Sequence, residues 1–159
     1  GRMNIISGIK NSVIIDDTYN SSPVALYEAL ETLKNLRAVG KKIAVLGDMM
    51  ELGKFSYEEH KKGGKIVAQF CDILITVGIR SRGFVEGALD HGLSEENIFQ
   101  FENSREAGKF LENKLGTGNI ALIKGSQSMR MERAVLEVMA HPEDAEKLLV
   151  RQEGEWKKR

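Results

Sequence analysis

Short runs rich in Ile, Val and Leu alternate along this chain with longer stretches of helical period, and few architectures accept that alternation. It is the signature of βαβ units, in which parallel strands joined by helices form one sheet covered on both faces. The runs are Val13–Asp16, Lys42–Gly47, Ile73–Val77, Asn97–Phe101 and Asn119–Lys124. Helical patterns fall at Pro23–Leu36, Ser56–Cys71, Arg82–His91 and Ser104–Leu115, with a last one over Met129–Ala140. Met3–Ser7 adds a further run, and Gly8-Ile9-Lys10-Asn11-Ser12 lets it turn back antiparallel onto Val13–Asp16. The expected fold is a three-layer α/β domain with a mostly parallel sheet, about six strands, one antiparallel edge strand and helices on both faces.

Local signals agree with this frame. Ser22 is placed to N-cap the helix that Pro23 opens, where a missing N–H loses nothing. Ser56-Tyr57-Glu58-Glu59 reads as a capping box, and Gly92 as the stop after Arg82–His91. Beyond Pro142 the charged extension, residues 143–159, reads as a terminal helix and a loose tail, with Leu148, Leu149, Val150 and Trp156 as docking contacts. A length of 159 residues suits one core, so residues 1–159 are expected to be one domain. Gly1-Arg2-Met3 runs almost directly into strand sequence, which reads as a domain of a longer protein.

The 23 Lys and Arg balance the 23 Asp and Glu, so no bulk electrostatic footprint for nucleic acid or an anionic membrane exists. Acidic ligands must be held locally. A single cysteine, Cys71, allows no internal disulfide, no apolar stretch approaches the roughly 20 residues of a membrane span, and the expected setting is cytosolic. A nucleotide-hydrolysing phosphate loop is absent: Gly40-Lys41, Gly53-Lys54, Gly64-Lys65 and Gly108-Lys109 are each followed by a residue other than Ser or Thr. The dinucleotide fingerprint fails too, since Gly116-Thr117-Gly118 precedes a strand instead of following one.

Three strand ends carry chemistry: Asp16-Asp17, Gly47-Asp48-Met49-Met50-Glu51-Leu52-Gly53, and Lys124-Gly125-Ser126. In a parallel sheet their carboxyl ends share one edge, the edge at which open α/β sheets bind ligands. Two carboxylate loops facing a lysine and a serine suit hydroxyls, an amine and a carboxylate; equally, such residues can simply cap helices. His60, His91 and His141 lack metal-ligand spacing and read as solvated helix-surface side chains, and Cys71 as a packed thiol.

In these segments the chain resembles the C-terminal domain of Mur ligases. The matching residues are Gly1-Arg2, Asp-Asp-Thr-Tyr-Asn-Ser-Ser-Pro at 16–23, Val45–Gly53, and Lys124-Gly125-Ser126 with Met129-Arg130-Met131-Glu132. Asp-Asp-x-Tyr-Asn together with Gly-Asp-Met-x-Glu-Leu-Gly resembles the members that add D-alanyl-D-alanine. The resemblance implies a Rossmann-like domain of a bacterial cytoplasmic ligase of peptidoglycan synthesis. The resemblance further implies an N-terminal UDP-sugar domain and a central ATPase domain, with the phosphate loop and magnesium ligands, outside this chain. It implies ATP and Mg2+ for the full-length enzyme, expected to couple D-alanyl-D-alanine to UDP-N-acetylmuramoyl-tripeptide through an acyl phosphate. By position, Arg2, Asp17, Tyr19 and Asn20 look like nucleotide contacts. Asp48, Met49, Glu51, Leu52, Lys124 and Ser126 look like the dipeptide side. The resemblance implies no metal ligand here and names no catalytic base.

Two other readings use the same residues. A receiver-type signalling domain shares paired acids after its first strand, but Ile73–Val77 ends in Gly78-Ile79-Arg80, where that fold needs a phospho-accepting aspartate. A non-catalytic amino-acid-binding module of the same fold is the second.

Overall fold

The structure, a computed structural model, describes residues 2–159. Six strands form one sheet: β1 (Asn4–Gly8), β2 (Ser12–Asp17), β3 (Lys42–Gly47), β4 (Ile73–Val77), β5 (Ile98–Phe101) and β6 (Ile120–Lys124). Their spatial order is β1-β2-β6-β3-β4-β5. Only β1 with β2 is antiparallel, from Asn4 opposite Asp16 to Gly8 opposite Ser12; every other pair is parallel.

The alternation of a pleated strand divides the core in two. On one face Ile14, Val45, Ile75 and Ile123 pack against α4 (Ser104–Glu112) and α5 (Glu132–Val138). On the other, Ile15, Leu46, Leu74 and Leu122 pack against α1 (Pro23–Asn35), α2 (Ser56–Phe70) and α3 (Arg82–Asp90). Strands covered on both faces explain the near-continuous apolar runs. No helix among the described residues is long and apolar enough to cross a membrane.

Several local expectations hold in detail. Ser22 Oγ accepts the Ala25 N–H at 3.3 Å, with Pro23 at the first helical position. Gly92 sits at φ +100°, and Leu93 N–H donates to Ala88 O at 3.0 Å, closing α3 in a Schellman turn.

Other expectations need correction. Ser56 does not cap α2: a 3-10 turn over Gly53–Phe55 runs straight into the helix, so Ser56 has helical φ and ψ and its side chain faces His60. The pattern over Met129–Ala140 is not one helix. Arg130 adopts φ +52°, which separates a 3-10 turn at Gln127–Met129 from α5. The helix expected to reach Leu115 ends at Glu112. The tail is not loose: α6 (Ala145–Leu148) and α7 (Gly154–Lys157) are single turns, and the Arg151 between them is buried.

Candidate functional site

The position of β6 between β2 and β3 brings the three polar strand ends together. Lys124, at the end of β6, is 3% exposed and reaches towards β2, placing Nζ 2.9 Å from Asp17 Oδ2 and donating to Asn20 O at 2.8 Å. One turn on, Ser126 reaches the other way. Its N–H donates to Asp48 O at 3.0 Å, and its Oγ accepts the Met50 N–H at 2.9 Å. Gly125 makes this convergence possible, because a Cβ there would lie 2.7 Å from Met131 Cγ and 3.1 Å from Gly47 Cα.

The paired acids at the end of β2 differ in kind. Asp16 is fully buried; the Thr18 N–H and Oγ1 both donate to its Oδ1, at 3.2 and 2.6 Å. Burial raises its pKa, opposed by the Thr18 bonds. Asp17 accepts the Met3 N–H at 3.2 Å and faces a cavity of about 420 Å³, whose mouth is formed by Arg2 and Tyr19. The Arg2 guanidinium lies 4.2 Å from the centre of the Tyr19 ring, a stacked cation–π arrangement.

A second cavity, of about 790 Å³, opens on the other side of the Asn20–Ser22 turn. Both volumes fall within the roughly 300–1,000 Å³ of small-molecule sites. Met50, Glu51 and Leu52 from the loop after β3 form one wall, Ser126 and Arg133 another, and Trp156 from the C-terminal segment a third. Asn20, Ser21 and Ser22 line both cavities, so the turn after β2 is their common partition.

Not every residue expected at the ligand lines a cavity. Asp48 is 2% exposed and accepts the Ser81 N–H and Oγ, each at 2.8 Å, with Arg80 Nη1 3.7 Å from its other oxygen. It ties the loop after β4 to the end of β3. Met49 is fully buried in the core on the α2 side. Glu51, at φ +63°, is exposed on the rim of the second cavity, with Leu52 and Ser126 beside it. Lys124 lines the first cavity.

His60 is the clearest departure from the sequence reading. It is fully buried, not solvated: its Nδ1 lies 2.7 Å from Ser56 O, and its Nε2 accepts the Met49 N–H at 3.0 Å. That arrangement needs the neutral ring protonated on Nδ1. Burial lowers its pKa, in line with that state, while the Ser56 bond and Asp48 push it back up. His60 is thus a prop for the Asp48–Leu52 loop. Cys71 behaves as expected, with burial pushing its thiol up to about 12.

The C-terminal segment supplies what the sequence did not disclose. Glu132, 1% exposed, sits between two guanidiniums: Arg130 Nε donates to Oε2 at 2.6 Å, and Arg151 Nη2 and Nε to Oε1 at 2.8 and 3.0 Å. Arg151 goes on to donate to the carbonyls of Thr18 and Tyr19, and Arg130 to that of Trp156 at 3.1 Å. One buried ion cluster therefore fastens the tail to the turn that separates the cavities. Nothing in the spacing of these residues signals their meeting.

The family model described as "Mur ligase, glutamate ligase domain" matches residues 1–127. The chain belongs to the Mur ligase family. Among its relatives, the UDP-N-acetylmuramoyl-tripeptide–D-alanyl-D-alanine ligase of Bacillus subtilis is 29% identical over 142 residues, covering 89% of this chain and 31% of the relative. The enzyme of the same name from Buchnera aphidicola (subsp. Baizongia pistaciae) is 32% identical over 134 residues, 82% of this chain and 27% of its own. In structure, a MurF ligase from Thermotoga maritima in complex with ADP matches with a TM-score of 0.71 and 29% identity, over 94% of this chain and 32% of that one. The Mur ligase domain described here thus spans about a third of the length of these relatives.

Proposed function

We propose that this chain is the C-terminal domain of an ATP-dependent ligase that joins D-alanyl-D-alanine to UDP-N-acetylmuramoyl-tripeptide. One observation carries the reading: two ligand-sized cavities share the Asn20–Ser22 turn, one bearing a carboxylate and an arginine, the other an acid, hydroxyls and further guanidiniums. A ligase of this kind needs a nucleotide and an amine held side by side. The relatives' names and the ADP bound by the Thermotoga maritima enzyme support that assignment.

In the first cavity Asp17 accepts hydrogen bonds from the ribose hydroxyls and Arg2 meets phosphate oxygens, with Tyr19 and Asn20 alongside. Lys124 fixes the rotamer of Asp17 from beneath, so we place it as a positioning residue of the nucleotide side. In the second cavity Glu51 receives the ammonium of the dipeptide, and Leu52, Met50 and Ser126 pack around its body. Asp48 and Met49 shape that loop from within the fold.

The chemistry is shared with domains outside this chain. The γ-phosphoryl group of ATP passes to the tripeptide carboxylate, giving an acyl phosphate and ADP. The dipeptide amine, once deprotonated, attacks the acyl carbon, and the tetrahedral intermediate expels inorganic phosphate as the peptide bond forms. The central domain brings the phosphate loop and magnesium, and this domain closes on it. Closure contributes orientation and keeps water from the acyl phosphate.

The test is Asp17→Ala in the full-length enzyme. We expect KM for ATP to rise about tenfold or more, with KM for the dipeptide little changed, because a charge-assisted pair of hydrogen bonds is lost from the nucleotide alone. Unchanged KM and kcat for ATP would overturn the ribose role.

A further inference from the structure

With no net charge on the chain, a carboxylate-bearing ligand must find its counter-ion in the site itself. Four guanidiniums stand at or behind the second cavity, and three are engaged. Arg130 and Arg151 share Glu132, and Arg159 lies 3.3 Å from Glu155 at the exposed end of the chain. Arg133 differs. It projects from the first turn of α5 onto the cavity wall, half-buried, and among the described residues its guanidinium has no carboxylate or carbonyl partner. Burial disfavours its charged form, and Arg130 and Arg105 nearby add to that; Glu132 offsets only part.

A guanidinium on a cavity wall whose five N–H donors find no acceptor within the fold is available to an anionic ligand. The cavity is otherwise built for a small amino compound. Ser126 and Ser128 offer hydroxyls to the same cavity, Leu52 and Trp156 offer apolar surface, and the single acid, Glu51, stands on the loop after β3, on a different element from Arg133. A molecule carrying an ammonium at one end and a carboxylate at the other matches that division of charge.

The geometry points to Arg133 as the residue that takes the terminal carboxylate of the incoming dipeptide, in a subsite completed by the post-β6 loop and Trp156. This inference rests on the ligase reading above and deepens it. It also gives the docked C-terminal segment a purpose: the Arg130–Glu132–Arg151 cluster satisfies two guanidiniums internally and leaves the third for the ligand.

The experiment uses the full-length enzyme, with ATP, the UDP-linked tripeptide, and either D-alanyl-D-alanine or its C-terminal amide. Wild type should prefer the free acid, by kcat/KM, about tenfold or more, since a bidentate arginine–carboxylate contact is charge-assisted on both sides. Arg133→Met keeps the aliphatic stem and should collapse that preference towards unity by raising KM for the acid far more than for the amide, while KM for ATP stays near wild type. Arg133→Lys should restore part of the preference, and it decides the matter if Arg133→Met folds poorly. A preserved acid-over-amide ratio in both variants, or no preference in wild type, overturns the carboxylate role while leaving the ligase reading intact. Failure of wild type to ligate either dipeptide overturns both.

Discussion

Replacing Glu132 by alanine removes the central charge of the buried cluster and leaves two guanidiniums, 9% and 7% exposed as residues, without their carboxylate. Breaking a buried pair by deleting one partner costs about 3–5 kcal/mol, chiefly because the surviving charge stays buried and uncompensated. Here the lower end applies. Arg151 keeps the Thr18 and Tyr19 carbonyls, and Arg130 keeps that of Trp156, so neither is stripped of acceptors. The expected loss is about 3 kcal/mol, which in a domain of this size lowers Tm by roughly 6–12 °C. Urea unfolding of residues 1–159 measures it, and a double-mutant cycle with Arg151→Met isolates the pairwise part. Amide exchange should show lost protection at 18–22 and 150–157 while the β6 amides stay protected. A loss below about 1 kcal/mol, the range of exposed ion pairs, would refute the claim that this cluster holds the tail on the site.

Two further outcomes follow from the loop after β3 and the helices behind it. Because burial lowers the His60 pKa in the folded protein, the unfolded chain takes up the proton first. The contribution of His60 is therefore full above about pH 6.5 and is lost progressively as pH falls below it, down through the folded-state pKa. The urea midpoint of wild type should drop more between pH 7 and 5 than that of His60→Gln, and parallel profiles would contradict this. Gly87 lets α3 lie directly on α2, for a Cβ there would stand 2.0 Å from Lys61 O. Gly87→Ala should cost roughly 1–3 kcal/mol in urea unfolding through forced separation of the two backbones, and a stabilised variant would show that the contact is loose.

Much of the fold could be read from period alone, because strands covered on both faces must be apolar throughout and their helices must carry a stripe. The convergence of Asp17, Glu51 and Ser126 could also be read, since parallel strands end on one edge. The insertion of β6 between β2 and β3, which lets Lys124 reach Asp17, left no local trace. Asp17 and Asp48 look alike in sequence, each an acid just past a Val/Ile/Leu run. Both are engaged by residues distant in the chain, Asp48 by Ser81 and Asp17 by Lys124, and what separates them is that Asp17 still lines a cavity while Asp48 lines neither. The burial of His60 is illegible for a similar reason: helical period shows which face of α2 is buried, but not that the Asp48–Leu52 loop folds over the first turn. Glu132 and Arg151 are 19 residues apart, and the carbonyls Arg151 binds lie 132 and 133 residues away, separations that carry no motif.

On the function proposed above, this domain supplies one side of a nucleotide-and-amine site whose phosphate-handling side lies on another domain. The most direct measurement is ATP turnover, followed as phosphate release, by the full-length protein and by residues 1–159 alone, each with the UDP-linked tripeptide and with or without D-alanyl-D-alanine. Sustained turnover is expected from the full-length protein only when the dipeptide is present, and none from residues 1–159. Sustained turnover by residues 1–159 alone, or turnover by the full-length protein that ignores the dipeptide, would contradict it.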